Sequence, residues 1–305
     1  MSIEALRDLA DRLGQSSRAL AALGAAVQAR VTGVPLDPAV GPQVAAVLEA
    51  LGVPGEALER AEPAELRPLL GAIRTELFLG AGLLSGEAGA GTGWTATDPR
   101  VLQAAGDVSV GFPGALKRAI APLLPGLAER LAAPEAWFLD VGVGVAAMAI
   151  EMARQWPGLR VVGVDPWPAA LALARDNLRA AGLADRIELR EGRAEELREE
   201  GRFDLAWVPG AFVPEAALPA ALERVGRALR PGGWLLLAFA RAPAGDPLAA
   251  ALAGFRTALW GGTRLPPESL EALLARAAGL AEVRTLPGPP GAAIGMMAGR
   301  RPVAA

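Results

Sequence analysis

The chain has 305 residues, 30 of them basic and 33 acidic, and it contains no cysteine, histidine or tyrosine. Disulfides, zinc enzymes, Ser-His-Asp hydrolases and cysteine proteases are therefore excluded, and we predict no metal. The slightly acidic balance gives no electrostatic footprint for nucleic acid. No apolar run is long enough to cross a bilayer, and the acid-containing amphipathic N-terminus is unlike a signal or transit peptide. We therefore expect a cytoplasmic protein with no nucleic-acid partner and no membrane partner.

The first part of the chain has the spacing of amphipathic helices. Glycine and proline separate the helical segments, which we predict at 3–13, 17–31, 38–52 and 64–80. The glycine-rich stretch 79–94 is either a mobile loop or a linker without a role. Two further helices are expected in 98–131, before a boundary near Ala133 and Pro134. We divide the chain into a helical domain, residues 1–134, and a second domain, residues 135–305.

From Trp137 onward, short apolar runs alternate with helical segments. The predicted strands carry the sequences WFLDVG, LRVVGVD, RIELREG, FDLAWVP, GGWLLLAFA, AEVRTLPG and AAIGMMAGR. This alternation predicts an α/β domain in which a mostly parallel, seven-stranded sheet has helices on both faces. Binding sites in such sheets lie at the carboxyl ends of the strands.

A glycine-rich turn follows the first of these strands. Residues 142–147 read GVGVAA, which matches the GxGxx(G/A) pattern that lets a backbone turn sharply and approach a nucleotide closely. A tight turn without a ligand would use the same residues. Asp165 ends the next strand about 20 residues later, where a carboxylate accepts hydrogen bonds from a ribose. NAD and S-adenosylmethionine both contain that ribose. Asp140, however, would repel a pyrophosphate and attract the cationic methionine portion of S-adenosylmethionine.

Four motifs in order complete the pattern: LDVGVGVA, VVGVDPWPAALALARDNL, FDLAWVP and LRPGGWLLLAF. Over roughly residues 135–305 the chain resembles a class I S-adenosylmethionine-dependent methyltransferase of the small-molecule type. The resemblance implies a Rossmann-like fold, with S-adenosyl-L-methionine as the cofactor. It also implies cofactor contacts at the methionine end, the ribose and the adenine, from Asp140, Gly142, Gly144, Asp165, Pro166 and Trp167. Packing between helix and sheet is the alternative role for Trp167.

Two strand ends depart from the pattern of the family. Gly192 and Arg193 follow the third strand, where relatives often place an acidic residue for the adenine amino group. Since Arg193 offers no acceptor, a backbone carbonyl, Glu191 or water would substitute. Val208 and Pro209 end the fourth strand beside the expected position of the methyl group. The segment after them is almost wholly apolar, which predicts that the site holds its substrate mainly by shape.

Methyl transfer to a carboxylate or an amine needs no base, whereas an alcohol or phenol gains roughly 10²–10⁴-fold from one. The candidate bases are Asp98, Asp107 and Glu215. Asp98 equally fits the N-cap of a helix that begins with proline. The expected substrate pocket consists of Trp94, Phe112, Phe212, Phe255 and Trp260, although core packing would also explain Phe255 and Trp260. The segment 93–112 is expected to fold over the cofactor.

The function expected from the resemblance is methyl transfer to oxygen or nitrogen of a small, fairly apolar molecule, plausible for specialised metabolism. The helical first part resembles accessory domains that roof the substrate and form a homodimer. Three alternatives stay open. The protein could use S-adenosylmethionine for cyclisation or decarboxylation, act as a non-catalytic assembly module, or be an NAD-linked oxidoreductase. Asp140 and the lack of a proton-transfer side chain such as tyrosine disfavour the oxidoreductase.

Overall fold

The computed structural model describes residues 1–85, 96–241, 245–288 and 292–303. Trp94, a predicted substrate-pocket residue, lies outside these ranges. Contacts divide the chain into two compact units, Met1–Glu87 with Arg100–Gly111, and Ala88–Pro99 with Phe112–Ala305. Within the described ranges, no helix combines the length and the apolarity needed to cross a bilayer.

The first unit is helical. Its helices are α1 (Ile3–Thr32), α2 (Gly41–Ala50), α3 (Gly55–Arg60), α4 (Pro63–Ser85) and all but the first residue of α5 (Pro99–Asp107). Its core is formed by Val27 of α1 with Leu66 and Leu70 of α4. The break expected near Gly14 is absent, because α1 is one continuous helix. An interior glycine costs only about 1 kcal/mol relative to alanine, which the strong helix formers around it offset.

The second unit is built on a seven-stranded sheet, as predicted. The strands are β1 (Trp137–Val141), β2 (Arg160–Asp165), β3 (Ile187–Glu191), β4 (Phe203–Pro209), β5 (Leu229–Ala240), β6 (Ala281–Thr285) and β7 (Ile294–Arg300). Their order is β3-β2-β1-β4-β5-β7-β6, and only the pairings of β7 with β5 and β6 are antiparallel. The sheet is therefore mixed but mostly parallel. The order reverses between β1 and β4, so the crevice at their carboxyl ends is the expected ligand site.

Helices cover both faces of this sheet. They are α6 (Phe112–Ala115), α7 (Leu127–Ala132), α8 (Ala147–Gln155), α9 (Pro168–Ala181), α10 (Leu218–Ala228), α11 (Pro247–Trp260) and α12 (Pro267–Arg276). Neighbouring strand residues point to opposite faces. Phe138 accordingly joins the core that contains α8 and α9, while Leu139 joins the core that contains α10 and α12.

Residues 112–134 pack into the second unit, although the sequence analysis assigned them to the helical first part. Leu116, Leu124, Leu127 and Leu131 are at most 1% exposed and belong to the same core as Phe138. The second unit therefore already includes Ala133 and Pro134, where the sequence predicted a boundary.

Candidate functional site

The turn after β1 is shaped by two glycines in the left-handed region. Gly142 has φ 67° and Gly144 has φ 54°, conformations that a side chain disfavours. The N–H groups of Gly142 and Val143 both donate to the carbonyl of Val164, at 2.8 and 3.2 Å. The turn is thereby fixed to the end of β2.

Asp165 holds this turn with its side chain. One carboxylate oxygen accepts from the N–H of Gly144 at 2.8 Å, and the other accepts from the N–H of Trp167 at 2.8 Å. Burial raises the pKa of Asp165, and the two backbone hydrogen bonds oppose that rise. The same carboxylate thus orders the glycine turn and the start of α9.

Asp140 places a buried carboxylate immediately before the turn. It is 1% exposed, and within the part of the chain that the structure describes neither oxygen has a hydrogen-bond partner. Burial, followed by the charge of Asp165, raises the pKa of Asp140 well above its ordinary value. A buried, unpaired carboxylate is costly unless a cation or donor meets it. The position suits a ligand with a positive group and repels an anionic one.

Trp167 follows Asp165 and Pro166 at the carboxyl end of β2. Its indole N–H donates to the carbonyl of Ala96 at 2.7 Å. This hydrogen bond fixes the backbone that precedes α5 against the beginning of α9. Trp167 therefore contacts part of the segment that was expected to fold over the cofactor.

The residues predicted after β3 lie at the neighbouring strand end. The N–H of Gly192 donates to the carbonyl of Asp165 at 3.1 Å. The N–H of Arg193 donates to the carboxylate of Glu196 at 3.0 Å, which closes a short 3-10 turn. Gly192 and Arg193 are thus brought beside Asp165, and the guanidinium of Arg193 still supplies no acceptor.

The end of β4 borders the glycine turn directly. Val208 is fully buried, and a Cβ atom placed on Gly142 would lie 3.1 Å from Cγ of Pro209. Pro209 therefore packs against the first glycine of the turn. The two positions join Asp140 and Asp165 at one edge of the sheet.

Two aromatic pairs involve the end of β4 and the segment that follows it. Phe112 contacts Trp207, with ring centroids 4.5 Å apart, and Phe212 stacks on Trp260, with centroids 4.4 Å apart and planes at 14°. Trp260 is 9% exposed, whereas Phe255 on the same helix is 50% exposed. The structure thus brings Phe212 and Trp260 together and leaves Phe255 half-exposed.

The chain after α11 is attached to the segment after β4. Thr263 N–H donates to the carbonyl of Gly210 at 3.1 Å. A Cβ on Gly262 would lie 1.7 Å from the carbonyl oxygen of Ala211, so the two backbones touch. Glu215, a predicted base, accepts from Thr263 and from the N–H of the following residue at 3.4 and 3.3 Å. Its carboxylate therefore helps to hold the two loops together.

The other two candidate bases also occupy structural positions. Asp107 belongs to the first unit, is 9% exposed, and accepts from Arg67 at 2.9 Å and from Gln103 at 3.0 Å. Asp98 lies immediately before α5, which begins at Pro99. That is the position of an N-cap.

Three residues of the site were missed in the sequence. A Cβ on Gly163 would lie 2.5 Å from Cγ2 of Val143, so only glycine lets the turn approach β2 this closely. Asn177 donates to the carbonyl of Val145 at 2.9 Å, and Arg256 lies over the ring of Trp260. A single glycine inside an apolar strand indicates close approach and could have identified Gly163. Nothing local distinguishes Arg256.

Known proteins share the domain that contains this site. Residues 138–233 match a family model described as a methyltransferase domain. Release factor glutamine methyltransferase of Geobacter sulfurreducens is 38% identical over 110 residues, 35% of this chain and 38% of that protein. U6 snRNA (guanine-N(2))-methyltransferase of Bos taurus is 35% identical over 127 residues, 40% of this chain and 25% of that protein. The chain thus spans less than half the length of these two relatives.

Two solved structures are similar over nearly the whole chain. An O-methyltransferase family protein from Burkholderia thailandensis has a TM-score of 0.59 at 18% identity, covering 100% of this chain and 99% of that one. Human N-acetylserotonin methyltransferase, in complex with S-adenosylmethionine, has a TM-score of 0.52 at 16% identity, covering 99% of each chain. At these identities the likeness concerns the fold.

Proposed function

We propose that this chain, which contains a class I S-adenosylmethionine-dependent methyltransferase domain, transfers a methyl group from S-adenosylmethionine to oxygen or nitrogen of a small, largely apolar molecule. The observation that carries this proposal is the buried carboxylate of Asp140 beside the glycine turn, which has no hydrogen-bond partner in the described part of the chain. The domain alone does not determine the acceptor.

The residues at the strand ends fit S-adenosylmethionine better than a dinucleotide. The methionine ammonium supplies the positive group and the donors that Asp140 lacks, whereas a pyrophosphate would meet two carboxylates, Asp140 and Asp165. Gly142 and Gly144 allow the methionine end to approach the backbone closely. Asp165 keeps further acceptor lone pairs for ribose hydroxyls beyond its two backbone hydrogen bonds.

Other residues are proposed to bind the adenine. Pro166 and Trp167 follow the end of β2, and Gly192 and Arg193 follow the end of the neighbouring strand β3. Since the Arg193 side chain is a donor, we assign recognition of the adenine amino group to backbone carbonyls or Glu191.

The bound cofactor supplies a methyl group that its sulfonium already activates for attack. This chain then has to align the acceptor and exclude water. Pro209, which is partly exposed, and Phe212, which is 37% exposed, provide an apolar surface for that purpose, and the fully buried Val208 packs beneath them. Because Asp98, Asp107 and Glu215 all have structural contacts or positions, we propose that alignment rather than a protein base produces most of the rate.

The small-molecule proposal rests on the apolar strand end and on the extent of the structural likeness. The two curated relatives, whose names indicate a protein and an RNA substrate, match only 35% and 40% of this chain. Human N-acetylserotonin methyltransferase, whose name indicates a small-molecule substrate, is similar over the helical unit as well. The 33 acidic and 30 basic residues also disfavour a polyanionic acceptor.

Calorimetric titration with S-adenosylmethionine, S-adenosylhomocysteine and NADH tests the cofactor. We expect micromolar binding of the two sulfur compounds, no binding of NADH, and loss of binding in Asp140→Ala and Asp165→Ala. Asp176→Asn, an exposed change on α9, should bind normally. Absence of binding by either sulfur compound would refute the proposal.

Isotopically labelled S-adenosylmethionine tests the acceptor class. After incubation with cell extract, the label should appear in the small-molecule fraction. Label confined to protein or RNA would contradict a small-molecule acceptor and leave the cofactor assignment intact.

A further inference from the structure

Helix α11 carries two hydrogen-bond donors that are buried and unsatisfied. Arg256 Nε and Trp260 Nε1 have no acceptor within the described residues. The residues are four apart and share one face of the helix. The guanidinium carbon of Arg256 lies 5.1 Å from the ring centroid of Trp260. The two donors therefore belong to one local cluster.

This cluster is energetically unusual. More than about 90% of buried polar groups in proteins have a hydrogen-bond partner. Trp260 is only 9% exposed, and its indole N–H can only donate a hydrogen bond. Arg256 is held by a separate hydrogen bond from Nη2 to the carbonyl of Ala293 at 3.3 Å, while its Nε finds no acceptor among the described residues. Two donors kept in place without an acceptor indicate a site for ligand oxygens.

The cluster lies beside the proposed methyl-transfer site. Trp260 stacks on Phe212, and Phe212 is three residues beyond Pro209, which packs against Gly142 of the cofactor turn. The hydrogen bond from Thr263 to Gly210 fixes the end of α11 to this same segment. A ligand bound at the cluster is therefore near the carboxyl end of β4.

We propose that Arg256 Nε and Trp260 Nε1 bind a carboxylate of the methyl acceptor, which makes the acceptor an apolar, ring-bearing acid with a hydroxyl or amino group to be methylated. The inference rests on the proposed function and narrows its substrate class. Arginine is always charged and prefers carboxylates, and the apolar residues at the end of β4 suit the ring. Under this proposal the site recognises the acceptor by its charged carboxylate, whereas the sequence analysis expected recognition mainly by shape.

Binding measurements on the protein saturated with S-adenosylhomocysteine test this proposal. The probes form two pairs, salicylate with phenol and anthranilate with aniline, whose members differ only in the carboxylate. We expect each acid to bind at least about 10-fold more tightly than its partner, because the carboxylate accepts charge-assisted hydrogen bonds that the partner lacks. Trp260→Phe keeps the stacked ring and removes the N–H. Arg256→Met removes the charge. Arg256→Met should abolish the preference, and Trp260→Phe, which leaves the Arg256 charge in place, should reduce it.

Arg284→Met is the matched control, since Arg284 also lies over a tryptophan ring, Trp234, but on the strand β6. It should retain the preference for acids. A second measurement follows the indole N–H signal of Trp260 by NMR, assigned through its loss in Trp260→Phe. Salicylate should shift this signal and phenol should not.

Equal binding of acids and their partners, no binding of any probe at millimolar concentration, or an unmoved Trp260 signal would overturn the carboxylate site. S-adenosylhomocysteine binding is unaffected by these outcomes. If the protein fails to bind S-adenosylhomocysteine, the proposed function is refuted instead, which keeps the two failures distinct.

Discussion

The carboxylate of Asp165 accepts a hydrogen bond of 2.8 Å from the N–H of Gly144, which links the end of β2 to the glycine turn after β1. A second bond to the N–H of Trp167 uses the other oxygen. The residue that the sequence assigns to the ribose is therefore also the residue that shapes the glycine turn. Effects of its substitution on ligand binding will contain both contributions.

Asp165→Asn should weaken S-adenosylhomocysteine binding at least about 10-fold. The amide group of asparagine puts a donor where one of the two backbone N–H donors needs an acceptor, and charge-assisted hydrogen bonds contribute about 1.5–3 kcal/mol each. Calorimetry measures the change. Asp176→Asn on α9 should leave the affinity unchanged. Unaltered binding by Asp165→Asn would show that neither the turn nor the ribose depends on this charge.

Gly163→Ala should destabilise the protein and weaken cofactor binding together. The added methyl group would lie 2.5 Å from Cγ2 of Val143, so the turn has to move. Overpacking of this kind typically costs about 1–3 kcal/mol. The double variant Gly163→Ala, Val143→Ala should recover part of both losses, as measured by urea denaturation and calorimetry. Gly80→Ala serves as the control, because a Cβ at Gly80 would meet no atom within 4 Å.

The turn, the strands and the placement of Asp140 and Asp165 at strand ends could be predicted because their signals are local. Apolar runs, glycine spacing and a terminal aspartate are properties of short segments. Asp98 and Asp107 show the limit, since a carboxylate near a helix end can be a cap, an ion-pair partner or a base. Only tertiary contacts distinguish these roles. Arg256 shows this limit more strongly, because only the packing around α11 leaves its Nε without an acceptor among the described residues.

Asp204→Ala should destabilise the fold and spare the site. Asp204 is 3% exposed, pairs with Arg130 at 3.2 Å and Arg230 at 2.8 Å, and accepts from the N–H of Trp137 at 3.0 Å. Removing one partner of a buried pair costs about 3–5 kcal/mol, and the partly exposed arginines place this case at the lower end. Urea denaturation should show the loss. Glu223→Ala, from an exposed pair, should change stability by at most about 0.5 kcal/mol.

The affinity of folded Asp204→Ala for S-adenosylhomocysteine should equal that of the unmodified protein, because Asp204 lies at the start of β4 and the site lies at its end. A weaker affinity at a temperature where the variant is fully folded would place this ion-pair network in the cofactor site.

Asp140→Asn should stabilise the free protein while weakening its binding of S-adenosylmethionine. Burial raises the pKa of Asp140 above its value in the unfolded chain. As pH rises past the ordinary aspartate pKa, near 4, the unfolded state therefore releases its proton while the folded state retains it. Stability of the free protein then falls with rising pH until the folded pKa has been passed. Asparagine removes this penalty.

The Tm difference between Asp140→Asn and the unmodified protein should thus be small near pH 4 and positive at pH 7 to 8. Each kcal/mol corresponds to about 2–4 °C in a protein of this size class. Saturating S-adenosylmethionine should reverse the order at pH 7 to 8, because only the carboxylate offers a charge to the methionine ammonium. Asp185→Asn, which changes an exposed carboxylate, should have the same Tm as the unmodified protein at every pH. A pH-independent difference would mean that Asp140 is already paired in the free protein.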